Sequence, residues 1–170
     1  MSTVSAREVP RIVERYAEPY AAIRRQVTIA QMAEVLPPLT GQVFEWLSTR
    51  GKRPAGPPFW RYRVIDMEGL LDIEVGVGTA ELLDADGDVV TGMLPAGHYA
   101  AVEHTGHPDT LLQATSDLLD WADAQGLVFD HADESDGDHW ACRLELYLTD
   151  PAENPDLDTW VTRLAFKLAD

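Results

Sequence analysis

The sequence predicts an α+β domain in which antiparallel sheet packs against helices on one side and leaves a central cleft. Three observations predict it: segments with alternating apolar and polar residues, segments with apolar residues at helical spacing, and a repeat that relates the two halves of the chain. With 170 residues, of which 45% are hydrophobic, the chain can bury a core as one domain. We predict a single domain over residues 1–170, made of two repeats at about residues 11–78 and 97–168.

Four segments of the first half are predicted to be strands. These are residues 11–16 and 20–27, which look extended, and residues 59–65 and 70–77, in which apolar and polar residues alternate. Alternation with a period of two indicates that one side of a strand packs while the other side meets solvent or a cleft. Asp86-Gly87 is predicted to form a hairpin turn after the fourth strand.

An interrupted helix is predicted between the second and third of these strands. Thr28 and Gln31 have the spacing of a capping box, in which side chain and backbone satisfy each other's unpaired groups. Pro37-Pro38 interrupts this helix or restarts it, because proline suits a first helical turn but not an interior. Gly51 is expected to end it.

The second half is predicted to follow a similar order. A helix begins after the turn-forming residues 106–109 and ends at Gly126. Strands are expected at residues 98–104, 140–149 and 159–168, with an acidic loop at residues 130–138.

An internal repeat is the most informative feature of the sequence. Three matches occur in the same order at nearly constant offsets: Tyr20-Ala21-Ala22-Ile23 recurs as Tyr99-Ala100-Ala101-Val102 after 79 positions (99 − 20), Glu45-Trp46 as Asp120-Trp121 after 75 (121 − 46), and Trp60-x-x-Arg63 as Trp140-x-x-Arg143 after 80 (140 − 60). They predict a duplicated βαββ unit. The alternative is that the aromatic residues are repeated packing positions. If the unit is duplicated, two similar sheets with helices on one side bring their remaining faces together and leave a crevice, a common place for small-molecule sites.

The charge balance argues against nucleic-acid binding. The chain has 13 Lys and Arg residues against 29 Asp and Glu residues, a formal net charge of −16. Such a chain repels phosphate backbones, and the same field favours organic cations. Solubility alone would also explain the acidity.

The composition indicates neither a disulfide nor a metal or cofactor site. Cys142 is the single cysteine, which excludes an intrachain disulfide. His104 and His107 flank a helix start without a further ligand at a telling spacing, so no metal site is predicted. No apolar run approaches the roughly 18 residues of a membrane helix, and residues 1–9 lack the apolar region of a signal peptide. We therefore expect a cytoplasmic location, with no cofactor and no membrane partner.

The two predicted repeats differ in one strand that carries ionisable residues. Alignment of the repeats places Glu145 and Tyr147 where the first repeat has Ile65 and Met67. Arg143, Glu145 and Tyr147 alternate with an apolar face that is predicted to pack on the helices, made of Cys142, Leu144, Leu146 and Leu148. A carboxylate beside an aromatic ring in a partly dry cleft attracts an organic cation. A desolvated carboxyl with a raised pKa can also take part in proton transfer.

Simpler interpretations of these residues remain open. Glu145 would be an exposed strand residue if it paired with Arg143 or Arg63 in solvent. Cys142 is interpreted as a small buried hydrophobic residue. Three further apolar residues are interpreted as core rather than cleft: Met32, Phe44 and Met93.

Two stretches carry a resemblance to a known family. Residues 94–100 read Leu-Pro-Ala-Gly-His-Tyr-Ala before a helix, and residues 144–151 read Leu-Glu-Leu-Tyr-Leu-Thr-Asp-Pro before the final strand. With the duplicated βαββ unit, they resemble the GyrI-like superfamily, which includes the effector-binding domains of BmrR and of some AraC-type activators. The resemblance covers roughly residues 11–168.

The resemblance implies a central cleft lined by aromatic residues, with a buried glutamate that Glu145 matches. Tyr147 and Trp160 match further cleft positions, although a stripe in the last strand (Thr162, Leu164 and Phe166) argues that the face of Trp160 is core. The predicted ligand-binding residues are Glu145, Tyr147, Phe59, Trp60, Tyr62, Trp121, Trp140 and Trp160.

The function that the resemblance implies is binding of lipophilic, often cationic aromatic small molecules, as in multidrug-binding proteins. We expect a stand-alone binding protein, because no helix-turn-helix segment is present and there is no room for one before Arg11. Two alternatives come from the same superfamily. One is a hydrolase of cyclopropane-bearing toxins, in which Glu145 would position or activate water and Tyr147 would hydrogen-bond the developing anion. The other is an inhibitory interaction module, such as a gyrase inhibitor.

Overall fold

The chain folds into ten strands and three α-helices within residues 9–169, the part that this computed structural model describes. The strands are β1 (Arg11–Arg15), β2 (Glu18–Val27), β3 (Pro58–Ile65), β4 (Leu71–Gly78), β5 (Val89–Leu94), β6 (Gly97–Thr105), β7 (His131–Glu134), β8 (Gly137–Trp140), β9 (Arg143–Tyr147) and β10 (Val161–Lys167). The helices are α1 (Ile29–Val35), α2 (Pro37–Thr49) and α3 (Leu111–Ala124).

All strand pairs are antiparallel and belong to one sheet that curls into a half-barrel. The strand order is β1-β6-β10-β9-β3-β4-β2-β5, and the β7–β8 hairpin attaches to β3 through β8. The predicted α+β class with an antiparallel sheet is confirmed. The β9–β3 pair lies in the middle of this order and joins strands from the two halves of the chain.

The helix ends lie where the turn chemistry predicts them. The Gln31 side chain accepts a hydrogen bond from the Thr28 backbone N–H at 2.9 Å, as expected for a capping box. Leu36 separates α1 from α2, and Pro37 is the first residue of α2. Gly51 and Gly126 follow α2 and α3 with φ angles of 66° and 72°, in the left-handed region that glycine adopts readily.

Both helix layers cover the same face of the sheet. The register places Val75 opposite Trp60, Trp60 opposite Glu145, and Glu145 opposite Leu164, so these four residues share one face. Two separate apolar clusters lie on this face. The first joins α1 and α2 to β2, β3 and β4, and the second joins α3 to β6 and β10.

The opposite face of the sheet has a core of its own, which corrects one prediction. Cys142, Leu144 and Leu146 do not pack on the helices; they are buried with Phe59 and Tyr99 from β3 and β6. Because the sheet curls, residues on this face meet each other and exclude water without a helix. Leu148 is partly buried against the same cluster.

Three elements differ from their predicted form. The strand expected at residues 140–149 is interrupted at Ala141 and Cys142, which separate β8 from β9. Arg61 and Val64 of β3 are three residues apart (64 − 61), but their partners Leu144 and His139 are five residues apart (144 − 139). The two extra residues form an irregularity that the Arg61 side chain holds through a 2.8 Å hydrogen bond to the Ala141 carbonyl.

The two other differences concern strands that lack a clear apolar pattern. The expected acidic loop is the β7–β8 hairpin, in which all four β7 residues are exposed. An exposed strand shows no alternation, because neither side packs. β5 is short, contains Gly92, and pairs only with β2 among the described strands. No helix within residues 9–169 is long and apolar enough to cross a membrane.

Candidate functional site

A cavity of about 960 Å³ lies on the helix side of the sheet. α1 and α2 form one wall, α3 contributes the other, and β3, β9 and β10 form the floor. The sequence predicted a cleft between the two sheet faces that lack helices. The structure instead places this cavity on the face that carries the helices. The faces without helices meet in a core of their own and leave a smaller cavity of about 460 Å³, bordered by Phe59 and Leu146. The two helix layers stay apart and leave the larger space between them.

The strand register directs Glu145 into this cavity. Glu145 lies in the centre of β9, opposite Trp60 of β3 on one side and Leu164 of β10 on the other. Its neighbours Leu144 and Leu146 point to the other face, where they are buried in the core. Alternation along β9 therefore leaves the carboxylate on the cavity floor beside Tyr147.

Two tyrosine hydroxyls hold the Glu145 carboxylate. Tyr147 donates a hydrogen bond to Oε1 at 2.7 Å, and Tyr62 donates to the same oxygen at 3.2 Å. Within residues 9–169, no donor reaches the second oxygen, Oε2, which leaves it open to a ligand.

Glu145 is not the exposed, ion-paired residue of the simpler interpretation. Within the described chain, no arginine or lysine nitrogen lies within 4.0 Å of its carboxylate. Arg63 instead contacts Glu74, at 3.4 Å. The residue is partly buried on the cavity floor, and its hydrogen bonds come from neutral groups.

Burial shifts the pKa of every ionisable group on this floor. It raises the pKa of the Glu145 carboxyl above its usual range, and the hydrogen bonds from Tyr147 and Tyr62 and the Arg143 charge oppose that rise. Burial, with the negative charge of Glu145, raises the pKa of both Tyr62 and Tyr147 well above the usual value. The tyrosines therefore stay protonated and act as donors.

The cavity wall beside the carboxylate is aromatic. The Trp60 and Tyr147 rings meet edge to face, with centroids 5.6 Å apart and an interplanar angle of 78°. Trp160 also lines the cavity, and its indole N–H donates to the Asn154 carbonyl at 2.8 Å. Flat apolar surfaces next to a buried carboxylate suit an aromatic ligand with a positive charge.

The sequence model of the GyrI-like small molecule binding domain matches residues 8–168. This chain belongs to the GyrI-like family. A search of curated proteins found no match.

Several solved structures share the GyrI-like fold at low sequence identity. The C-terminal domain of EcmrR is 16% identical, with a TM-score of 0.69 over 96% of this chain and 98% of that domain. In the EcmrR–DNA complex, this chain spans 57% of the EcmrR chain, with 18% identity, 95% of this chain covered and a TM-score of 0.74.

Two further structures are similar over nearly their whole length. SAV2435, solved with bound tetraphenylphosphonium, is 10% identical, with a TM-score of 0.62 over 95% of this chain and 94% of that one. A hydrolase from Listeria innocua is 12% identical, with a TM-score of 0.59 over 96% and 93%. At these identities the likeness establishes the fold.

The structure brings five of the predicted site residues of this GyrI-like domain together at the cavity: Glu145, Tyr147, Trp60, Tyr62 and Trp160. Whether the face of Trp160 is cavity or core depends on the position along β10. Thr162 lines the cavity, whereas Leu164 and Phe166 lie further along the same face and pack in the α3 cluster. One strand face therefore serves both as cavity floor and as core.

Three predicted residues lie outside the cavity. Phe59 is 1% exposed and faces the opposite core, because its neighbour Trp60 occupies the cavity side of β3. Trp121 belongs to α3 and packs against the core that this helix forms with β6 and β10. Trp140 lies in the same core and stacks on His131, with centroids 4.8 Å apart. Trp121 and Trp140 therefore pack as the alternative interpretation of the repeat expects, whereas Phe59 borders a cavity on the opposite face.

The sequence analysis missed the helical wall of the cavity. Met32 and Phe44, interpreted as core, line it, together with Ile29 of α1 and Leu111 and Leu112 of α3. Ile29 and Leu112 remain 44% and 75% exposed at the rim, more than their place on an apolar helix face predicts. The exposure of these apolar side chains is the signal that marks the helical wall, and it can be recognised only from the structure.

Proposed function

We propose that this GyrI-like domain binds lipophilic aromatic molecules that carry a positive charge. The observation that supports the proposal is the partly buried Glu145 carboxylate on the floor of a large, mostly apolar cavity. A buried carboxylate without an ion-pair partner is costly, and a cationic ligand would supply the missing charge.

The hydrogen bonds to Glu145 leave room for such a ligand. Both tyrosines donate to Oε1, so the ionised form is supported while Oε2 faces the open space. Aromatic walls tolerate ligands of different shape, because stacking and edge contacts need no fixed donor pattern. The binding of tetraphenylphosphonium by SAV2435, which has the same fold, is consistent with this ligand class.

The charge role of Glu145 is tested by Glu145→Gln. We expect this variant to bind tetraphenylphosphonium roughly 10- to 100-fold more weakly, because a contact to a charged group is worth about 1.5–3 kcal/mol. A neutral triaryl compound such as triphenylmethanol should be affected less than about threefold. Dissociation constants would be measured by isothermal titration calorimetry.

A matched control separates the site from the overall charge of the chain. Glu134→Gln removes the same formal charge from an exposed position on β7 that does not line the cavity, and should leave both affinities unchanged. An equal loss for charged and neutral ligands in Glu145→Gln would contradict the charge role, as would an equal loss in the two variants.

A hydrolase is the second candidate, and one contact favours it. Tyr147 and Glu145 form a 2.7 Å hydrogen bond inside the cavity, and burial raises the pKa of both groups. In that reaction Glu145 would position or activate water, and Tyr147 would hydrogen-bond the developing anion.

Turnover separates the two candidates. If the domain is a hydrolase, mass spectrometry should detect a ring-opened, water-added product from a cyclopropane-bearing substrate, at many equivalents per protein. Glu145→Gln should abolish it. Stoichiometric binding with no product would remove the enzyme and leave the binding function.

A further inference from the structure

The cavity also contains a partly buried arginine without an acidic partner. Arg143 lies two residues before Glu145 on β9 and shares its cavity face. Within residues 9–169, no carboxylate lies within 4.0 Å of its guanidinium, and no group accepts a hydrogen bond from it. Its nitrogens are not among the fully enclosed polar atoms without a partner, and the residue lines the cavity.

Two aromatic rings fix the position of this guanidinium. Its central carbon lies 4.7 Å from the centroid of the Trp140 ring and 4.5 Å from that of Phe166. Ring contacts of this kind stabilise the cation but accept none of its five N–H bonds, which point outward in the guanidinium plane. The side chain is therefore oriented and still able to donate.

Arg61, on the other face of the sheet, is a buried arginine that has an acidic partner, although its Nε finds no hydrogen-bond partner within residues 9–169. Arg61 pairs with Glu74 at 3.2 Å and donates to the Tyr20 hydroxyl and the Ala141 carbonyl. Arg143 has no equivalent set. The nearest acidic groups that influence it are Glu145 and Asp138, and both lie beyond ion-pair distance.

We propose that Arg143 binds an anionic or carbonyl oxygen of the ligand, so that the cavity prefers aromatic molecules carrying both a positive charge and an oxygen acceptor. This inference rests on the proposed function, because it adds a second polar contact to the same site. Residues two apart on a strand are separated by roughly 7 Å, which sets the approximate span between the two ligand groups. Guanidinium groups bind carboxylate oxygens with two parallel hydrogen bonds, and the open edge of Arg143 suits this geometry.

Two dyes that differ in one group test the inference. Rhodamine 110 carries a free carboxylate and is zwitterionic, whereas rhodamine 123 is its methyl ester and is cationic. Fluorescence anisotropy at pH 8 would give the dissociation constants of both dyes for the wild-type protein and for Arg143→Met, which keeps an unbranched apolar stem between the two rings.

We expect Arg143→Met to weaken rhodamine 110 binding about tenfold or more relative to rhodamine 123. Arg143→Lys should fall between the wild type and Arg143→Met, because it keeps the charge without the planar pair of donors. Circular dichroism would confirm that the variants fold. The ratio of the two dyes' dissociation constants for the wild-type protein is a further measurement that does not depend on any variant.

The possible results separate this inference from the proposed function. If both dyes bind the wild type and Arg143→Met changes their affinities equally, the oxygen site is overturned and the cation site stands. If Arg143 only keeps Glu145 ionised, its loss should weaken the cationic ester at least as much as the zwitterion, which also overturns the inference. If neither dye binds the wild type, the proposed function fails together with it.

Discussion

The two hydroxyls that hold Glu145 differ in distance, and this difference has a functional consequence. Tyr147 donates at 2.7 Å and Tyr62 at 3.2 Å, both to Oε1. Hydrogen bonds to the charged form lower the pKa of a carboxyl, whereas burial raises it. The balance between burial, these two contacts and the Arg143 charge therefore sets the pH at which Glu145 loses its negative charge.

We predict that binding of a permanent cation weakens as the pH falls through the raised pKa of Glu145. The sign follows from the direction of the shift: protonation neutralises the carboxylate, and because its pKa is raised, this happens at a higher pH than for an exposed glutamate. Tetraphenylphosphonium has no titratable group, so its affinity measured between pH 5 and pH 8 reports on the protein.

The tyrosine variants order the midpoints of this titration. Tyr147→Phe should move the midpoint to higher pH, because it removes the shorter hydrogen bond to the carboxylate, and Tyr62→Phe should move it less. Glu145→Gln should bind weakly without this pH dependence. The same midpoint in the wild type, Tyr147→Phe and Tyr62→Phe would show that the hydroxyls do not support the ionised form of Glu145.

Part of the site was predictable from single residues on strands. The alternation in β9 placed Arg143, Glu145 and Tyr147 on one face, because the side-chain period of a strand is fixed by its geometry. The same rule separates Trp60 from Phe59, which the sequence analysis assigned together to the ligand. Resemblance to a family identified a motif, whereas the pleat of the strand decides which of its aromatics reach the cavity.

At the scale of elements, turn chemistry was more predictable than strand pairing. The helix boundaries followed from local groups such as Thr28, Pro37 and Gly51, whose effect is confined to a single turn. The break between β8 and β9 did not, because it depends on Arg61, which is distant in sequence and reaches the Ala141 carbonyl. β7 was missed because an exposed, acidic strand has no apolar period.

The duplication of the βαββ unit stays a prediction. The strand order is what two copies would give if they met through β3 and β9, with β4 and β2 on one side and β10 and β6 on the other. β1 and β5 then lie at opposite ends, where each pairs with the strand that precedes the helix of one βαββ unit, β6 and β2 respectively. Duplication would give a symmetric strand order, but packing constraints on a curled sheet can produce the same symmetry.

At the scale of the whole molecule, the cavity belongs to both halves of the chain. Its walls are α1 and α2 from the first half and α3 from the second, and the two apolar clusters behind these walls are separate. Floor strands from both halves meet at the β3–β9 pair beneath the cavity. A molecule that fills the cavity would contact both helix layers. It would link two apolar cores that are otherwise connected through the sheet.

We therefore predict that a cationic aromatic ligand slows amide hydrogen exchange in both helix layers. At a free ligand concentration of about 100 times Kd, linkage adds about 2.7 kcal/mol to the free energy of global unfolding, so amides that exchange through global unfolding should be protected throughout the sheet. Local openings of α1, α2 and α3 should be suppressed as well, because each helix contributes residues to the wall. Mass spectrometry of peptides from residues 29–49 and 111–124, with and without tetraphenylphosphonium, measures this directly. Glu145→Gln at the same ligand concentration should show much less protection, and protection restricted to one helix layer would contradict a site shared by the two halves.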